Sequence, residues 1–261
     1  MNGFPGWEDM GATLTTVVNG FGGTWWEATA EGTPGEPQIN QPESGFRAAV
    51  EFYVELLQDA GPEDPQRTFF DRCLEQFQNG EVAIWYDSTS AATILERDDS
   101  AVAGNVGYAL GPSDGVLVPG WLQTWGLSIL TDAPNPDAAW EFVRWATSPE
   151  FIELVGENSP RGWAAAPPGT RMSTYETDAY IEAHSPYFQT VFDVIPNVPI
   201  DMPGTTPRPG LPGIQYVGIP EFPSVATSCT FDISEAIRGA ISIDMALNRC
   251  QAVASELTDL G

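Results

Sequence analysis

Between residues 66 and 97 a helix stops on glycine, an apolar run follows, and a polar triplet opens a second helix; no other feature restricts the fold as much. Residues 66–79 predict the first helix, ended by Gly80, and Val82-Ala83-Ile84-Trp85-Tyr86 predicts a short strand. Asp87-Ser88-Thr89 then supplies N-cap side chains to a helix over residues 90–97. Such a succession belongs to α/β folds, in which side chains and helical N–H groups at a strand's carboxyl end face the ligand. Residues 107–110 and 127–130 predict further strands.

The remaining periodicities are helical. Residues 12–26 read as an apolar helix that ends on glycines and delivers Trp25 and Trp26 just beyond its cap, before a Gly/Pro-rich loop to about residue 40. In residues 44–60 the apolar positions Phe46, Val50, Tyr53, Val54 and Leu57 form one stripe, which predicts a helix with that face in a core. Residues 135–148 place Ala138, Ala139, Phe142, Val143 and Trp145 on one side of another helix, so Trp140 and Trp145 are expected in a core. Residues 149–156 and 175–194 read as helical, and residues 221–240 and 242–257 predict two closing helices. Residues 159–175 read as a loop, and residues 197–220 hold too much Pro and Gly for long regular structure.

Charge removes whole classes of partner. Ten Lys plus Arg against 36 Asp plus Glu give a formal charge of -26, so phosphate backbones and anionic lipids are repelled and no nucleic-acid partner is expected. All ten cations are arginines, and no run of about 18 apolar residues exists to span a bilayer. The opening Met1-Asn2-Gly3-Phe4-Pro5-Gly6-Trp7 lacks the basic and apolar regions of a signal peptide and reads like the interior of a fold.

Chemistry is equally restricted. The sole histidine, His184, has no serine-elbow motif to serve, and it is expected on a surface or interface. One His with three scattered thiols provides no metal-ligand spacing, so no metal or other cofactor is expected. Cys229 and Cys250 fall in successive predicted helices, where either one disulfide or two buried thiols is consistent with the sequence.

Aromatic content points the other way, toward binding. Nine tryptophans occur, and Trp7, Trp25, Trp26, Trp121, Trp125 and Trp163 fall in predicted loops. Loop indoles beside Asp, Gln and Arg suit a sugar or polyol: a flat apolar surface for C–H faces, planar donors and acceptors for hydroxyls.

A set of strings spread over nearly the whole chain resembles the extracellular solute-binding proteins of carbohydrate ABC importers, in particular the sorbitol/mannitol type. The strings include Pro5-Gly6-Trp7, Phe77-Gln78-Asn79-Gly80-Glu81-Val82-Ala83-Ile84-Trp85 with Asp87, the run from Trp121 to Ile129, and Asn135-Pro136-Asp137-Ala138-Ala139-Trp140-Glu141-Phe142. Gly162-Trp163 through Arg171 to Glu176 and Gly213-Ile214-Gln215-Tyr216-Val217 complete it. The resemblance implies an α/β, periplasmic-binding-protein-like two-lobe fold that closes on its ligand like a hinged trap, with the N-terminal lobe largely missing from this chain. It implies that residues 1–115 begin the second lobe, 116–172 return to the first, and 173–261 complete the second.

It further implies a monomeric, periplasmic or cell-surface component that binds a sugar or sugar alcohol in an inter-lobe cleft and delivers it to an ABC permease in the membrane, without catalysis. Trp7, Trp121, Trp125 and Trp163 are expected as stacking walls, Asp87 and Arg171 as charged hydrogen-bonding groups, and Tyr216 in either role. The competing expectations are a secreted carbohydrate-active hydrolase and a ligand-free surface scaffold.

Overall fold

The computed structural model describes residues 1, 3–28, 34–114, 120, 125–166, 171–198 and 219–259. In chain order the helices are α1 (Met10–Gly20), α2 (Gly45–Ala60), α3 (Phe70–Gln78), α4 (Ala92–Leu95), α5 (Pro136–Ala146) and α6 (Pro149–Asn158). They continue with α7 (Met172–Tyr175), α8 (Asp178–Ala183), α9 (Phe188–Val194), α10 (Phe222–Ile237) and α11 (Ile243–Asp259). Strands β1 (Trp26–Ala28) and β2 (Pro34–Pro37) pair antiparallel, with Trp26 opposite Pro37. The chain divides into two compact units: unit 1 is Met1–Asp87, Leu110–Gln123 and Asn197–Gly261, and unit 2 is Ser88–Ala109 and Thr124–Pro196.

Unit 1 is built on α1, α2, α10 and α11. Every residue of α1 is buried, and two of its hydroxyls donate within the helix, Thr15 Oγ1 to the Gly11 carbonyl at 2.7 Å and Thr16 Oγ1 to that of Thr13 at 2.7 Å. The chain leaves α1 through Gly22 at φ 70° and passes against the start of α2 so closely that a Cβ on Gly23 would stand 2.4 Å from the Phe46 nitrogen. Ser44 caps α2, its side chain accepting from Phe46 N–H at 3.1 Å, and Phe46, Val50, Tyr53, Val54 and Leu57 face inward as the stripe predicts. Trp25 lies edge-on to Phe46 at 4.7 Å and to Phe222 at 5.2 Å, in a core that continues through Leu14, Val225, Ile233 and Leu247. Cys229 of α10 and Cys250 of α11 form a disulfide with Cα atoms 4.8 Å apart, which resolves the pairing that the sequence left open.

Unit 2 has a smaller core made chiefly of aromatic rings: Tyr175, Tyr180 and Tyr187 with Ala92, Ala166 and Val191, and Trp163, Phe188 and Phe192 packed against them. Here His184 departs from expectation. It is buried at the end of α8, stacked on Tyr180 at 3.9 Å, with Nδ1 2.8 Å from the Tyr180 carbonyl and Nε2 3.1 Å from that of Ala166. Two carbonyls and a ring gave it a place inside that a lone polar residue in a helical segment did not announce.

Two further expectations change. Residues 82–86, 107–110 and 127–130 run without ladder partners among the described residues, where β1–β2 is the one paired sheet. A strand is a relation between two segments, and apolar content alone fixes only the local extended backbone. Helix α5 forms where the periodicity places it, with Pro136 in its first turn, yet none of its residues is buried. Trp140 and Trp145 are therefore not core residues: they are 55% and 47% exposed.

Candidate ligand-binding site

Two of the seven expected residues, Trp7 and Asp87, are described residues of unit 1. Trp7 lies in the loop before α1, half-buried against the main core. Helix α10 pins that loop: Gly6 N–H donates to Thr230 Oγ1 at 3.0 Å, and Ser234 Oγ donates to the Gly3 carbonyl at 3.0 Å. Gly3 N–H donates in turn to the Pro65 carbonyl at 3.1 Å, an approach so close that a Cβ on Gly3 would meet that oxygen at 2.7 Å. The indole is thus carried on a fixed segment, with one part of its surface packed and another accessible.

Asp87 is exposed at the end of the apolar run 82–86. Its charge raises the pKa of three neighbours that burial has already raised, Tyr53, Tyr86 and Cys73, the last pushed up to about 11. Tyr53 shares a hydrogen bond with the Thr13 side chain and Tyr86 with that of Thr16, so two threonines of α1 hold two tyrosines that feel the Asp87 charge. Sequence reasoning did not single out these pairs, although Thr13 and Thr16, three apart on a helix, are their legible signal.

Three more residues belong to unit 2. Trp163 is in a 3-10 turn, Gly162–Ala165, and lies so tightly on α6 that a Cβ at Gly156 would fall 2.4 Å from its ring. One face of this indole is therefore committed to packing. Trp125 is 90% exposed and has its whole ring available. Arg171 donates Nε to the Thr147 carbonyl at 3.0 Å, with Nη2 on the same oxygen, and so closes the C-terminal end of α5. Seven other arginines pair with carboxylates, whereas Arg171 has no such ion pair among the described residues. Trp121 and Tyr216 lie outside the described residues.

Trp25 and Trp26, which the sequence places in a loop, are wholly buried and structural. Among the described residues, no group of three or more His, Cys, Asp or Glu side chains is arranged to hold a metal ion, and no helix is long and apolar enough to cross a membrane. Taken singly, indole surface, a carboxylate acceptor and a guanidinium donor are groups whose chemistry suits neutral hydroxyls.

Comparison with known proteins gives the same direction. Residues 1–151 match the family model described as bacterial extracellular solute-binding protein. A mannitol-binding protein of Pseudomonas aeruginosa is 34% identical over 254 residues, 96% of this chain and 55% of that protein. An erythritol/L-threitol-binding protein of Mycolicibacterium smegmatis is 30% identical over 136 residues, 49% of this chain and 27% of its own length. Among solved structures, an ABC transporter solute-binding protein from Agrobacterium vitis with bound D-mannitol superposes with a TM-score of 0.86 at 34% identity, covering 100% of this chain and 60% of that one. Another from Agrobacterium radiobacter, in complex with ribitol, reaches a TM-score of 0.77 at 21% identity and shares the fold. This chain therefore spans little more than half the length of the relatives it matches.

Proposed function

The chain belongs to the bacterial extracellular solute-binding proteins, and from that premise we propose that it is the recognition part of an ABC importer component for a sugar alcohol or sugar. The single observation that carries this is the 34% identity to a mannitol-binding protein across 96% of the chain. In this reading Trp7, Trp125 and Trp163 present apolar ring surface to the C–H faces of the ligand, and Trp121 does the same. Asp87 accepts hydrogen bonds from hydroxyls, Arg171 donates to them, and Tyr216 contributes ring or hydroxyl.

Charged planar partners suit a neutral polyol because such hydrogen bonds are roughly twice as strong as neutral ones. No bond of the ligand is made or broken. Binding stabilises one conformation, and the loaded protein, working as a monomer outside the cytoplasmic membrane, presents its cargo to a permease.

Calorimetric titration with D-mannitol, ribitol and maltose tests this. Saturable binding of at least one is expected, and Asp87→Ala should weaken it by about 1.5–3 kcal/mol, since a ligand hydroxyl then loses a charged partner. An unchanged affinity removes Asp87 from the site. Failure of every polyol and sugar to bind, or release of reducing ends from oligosaccharides, overturns the proposal itself.

A further inference from the structure

The run 82–86 has no ladder partner among the described residues, and the contacts that hold it to unit 1 there are made by side chains. Trp85 lies 5.6 Å from Phe70 and 6.1 Å from Phe77, both of α3. Tyr86 packs against the main core, and its hydroxyl is hydrogen-bonded to the side chain of Thr16 in α1. The residue that follows is Asp87, the exposed carboxylate assigned above to the ligand.

A threonine hydroxyl has one proton to give. That of Thr16, which is buried, goes to the Thr13 carbonyl at 2.7 Å, so in the bond with Tyr86 the phenol is the donor and Thr16 Oγ1 the acceptor. The phenol proton therefore points to α1 and not to the neighbouring Asp87, although the carboxylate's charge reaches the ring. One turn earlier on the same helix, the side chain of Thr13 is hydrogen-bonded to Tyr53 of α2, which is wholly buried. Because α1 is buried along its whole length, the acceptor that receives Tyr86 is itself fixed in the core.

We propose that Tyr86 and Thr16 are positioning residues for recognition: neither touches the ligand, and the hydrogen bond between them sets where the Asp87 carboxylate stands. The inference rests on the assignment of Asp87 to the ligand under the proposed function. Adjacent Cα atoms are about 3.8 Å apart, so a ring held by packing along its face and by a bond at its tip leaves the next residue little freedom. A carboxylate ordered in advance binds more tightly, because its ordering is not charged against association. Thr15 gives a control of the same chemistry on the same helix. Its hydroxyl is also buried and donates to the Gly11 carbonyl at 2.7 Å, but it accepts from Trp25 Nε1 at 3.0 Å, inside the core.

Two measurements on the 261-residue chain test this: nitrogen-15 relaxation without any sugar, and calorimetry with the tightest-binding of D-mannitol, ribitol and maltose. In Tyr86→Phe and in Thr16→Val the order parameters of the Tyr86/Phe86 position and of Asp87 should fall from about 0.85 toward about 0.6. Affinity should fall roughly three- to tenfold, the equivalent of one hydrogen bond. In an Asp87→Ala background, Tyr86→Phe should change affinity by less than about twofold, because the effect passes through the carboxylate. Thr15→Val should lower the urea midpoint and leave both readouts unaltered. Unchanged order parameters overturn the proposal, as does an affinity loss on Tyr86→Phe that is equal with and without Asp87, the mark of a general loss of packing. If Asp87→Ala weakens binding and Tyr86→Phe does not, the positioning role alone is overturned and Asp87 keeps its place. If none of the three ligands binds, or Asp87→Ala leaves affinity unchanged, the functional reading beneath the proposal fails and the proposal with it.

Discussion

The 16-residue helix α10 of unit 1 buries ten of its side chains, whereas the 11-residue α5 of unit 2 buries none. Both helices are amphipathic, both begin with proline in the first turn, and both carry bulky apolar residues on one side. The difference lies in what faces them. α10 packs against α11, α2 and α1 inside unit 1, while the main packing partner of α5 among the described elements is α6. A helical stripe therefore specifies that a face is to be covered; the covering surface comes from elsewhere.

The sharpest way to break this contrast is to remove one large ring from each side. Trp25→Ala should cost about 3–5 kcal/mol, since it empties a site closed by Phe46 and Phe222. Trp145→Ala, at 47% exposure, should cost no more than about 1 kcal/mol in the isolated chain. Urea unfolding followed by circular dichroism measures both. Equal losses would mean that α5 is as well packed as the core of unit 1, and the comparison would fail.

The second effect in size concerns the link between α10 and α11. Cys229 and Cys250 are separated by 21 residues, and closing a loop of that length in the unfolded chain is worth about 3 kcal/mol in the chain-entropy account. The double variant Cys229→Ala/Cys250→Ala should therefore unfold at markedly lower urea concentration, and reducing agent should lower the wild type toward it. Thiol titration of the denatured, unreduced protein should find one reactive group, Cys73. Three would show that unit 1 reaches its packing without a covalent tie.

How much of this was legible depends on whether the signal was local. The inward face of α2 and the two closing helices follow from residue spacing, because a helix satisfies its own backbone and needs only one apolar stripe to orient it. Among the described residues the strand expected at 82–86 has no ladder partner, since the partner of a strand is not encoded in the strand. Trp25 and Trp26 show the same limit for the site: an indole just past a helix end reads identically whether a core or a ligand receives it. Trp125 and Asp87 are exposed, while the packing of Trp163 on Gly156 and the bond from Arg171 to Thr147 were invisible at sequence distances of 7 and 24 residues.

The smallest expected effect sharpens the contrast between the two cores by pH. Burial lowers the pKa of His184 below its ordinary 6.5, against the opposing pull of the Tyr180 and Ala166 carbonyls. A neutral ring has one N–H for these two acceptors; protonation would satisfy both, but at the cost of a charge between Tyr180 and Tyr187. Burial prevails, so the folded state takes up the proton less readily than the unfolded one. The stability that follows is complete above pH 6.5 and is lost as pH falls toward and through the lowered value. Amide exchange, corrected for intrinsic rates, should show α8 and α9 opening more easily at pH 5.5 than at pH 7.5, with α10 less affected. In His184→Phe, where the stack on Tyr180 is kept and the titration removed, that difference should vanish. If α8 and α10 loosen together in both proteins, acid acts on the carboxylates common to the whole chain, and the histidine gives unit 2 no sensitivity of its own.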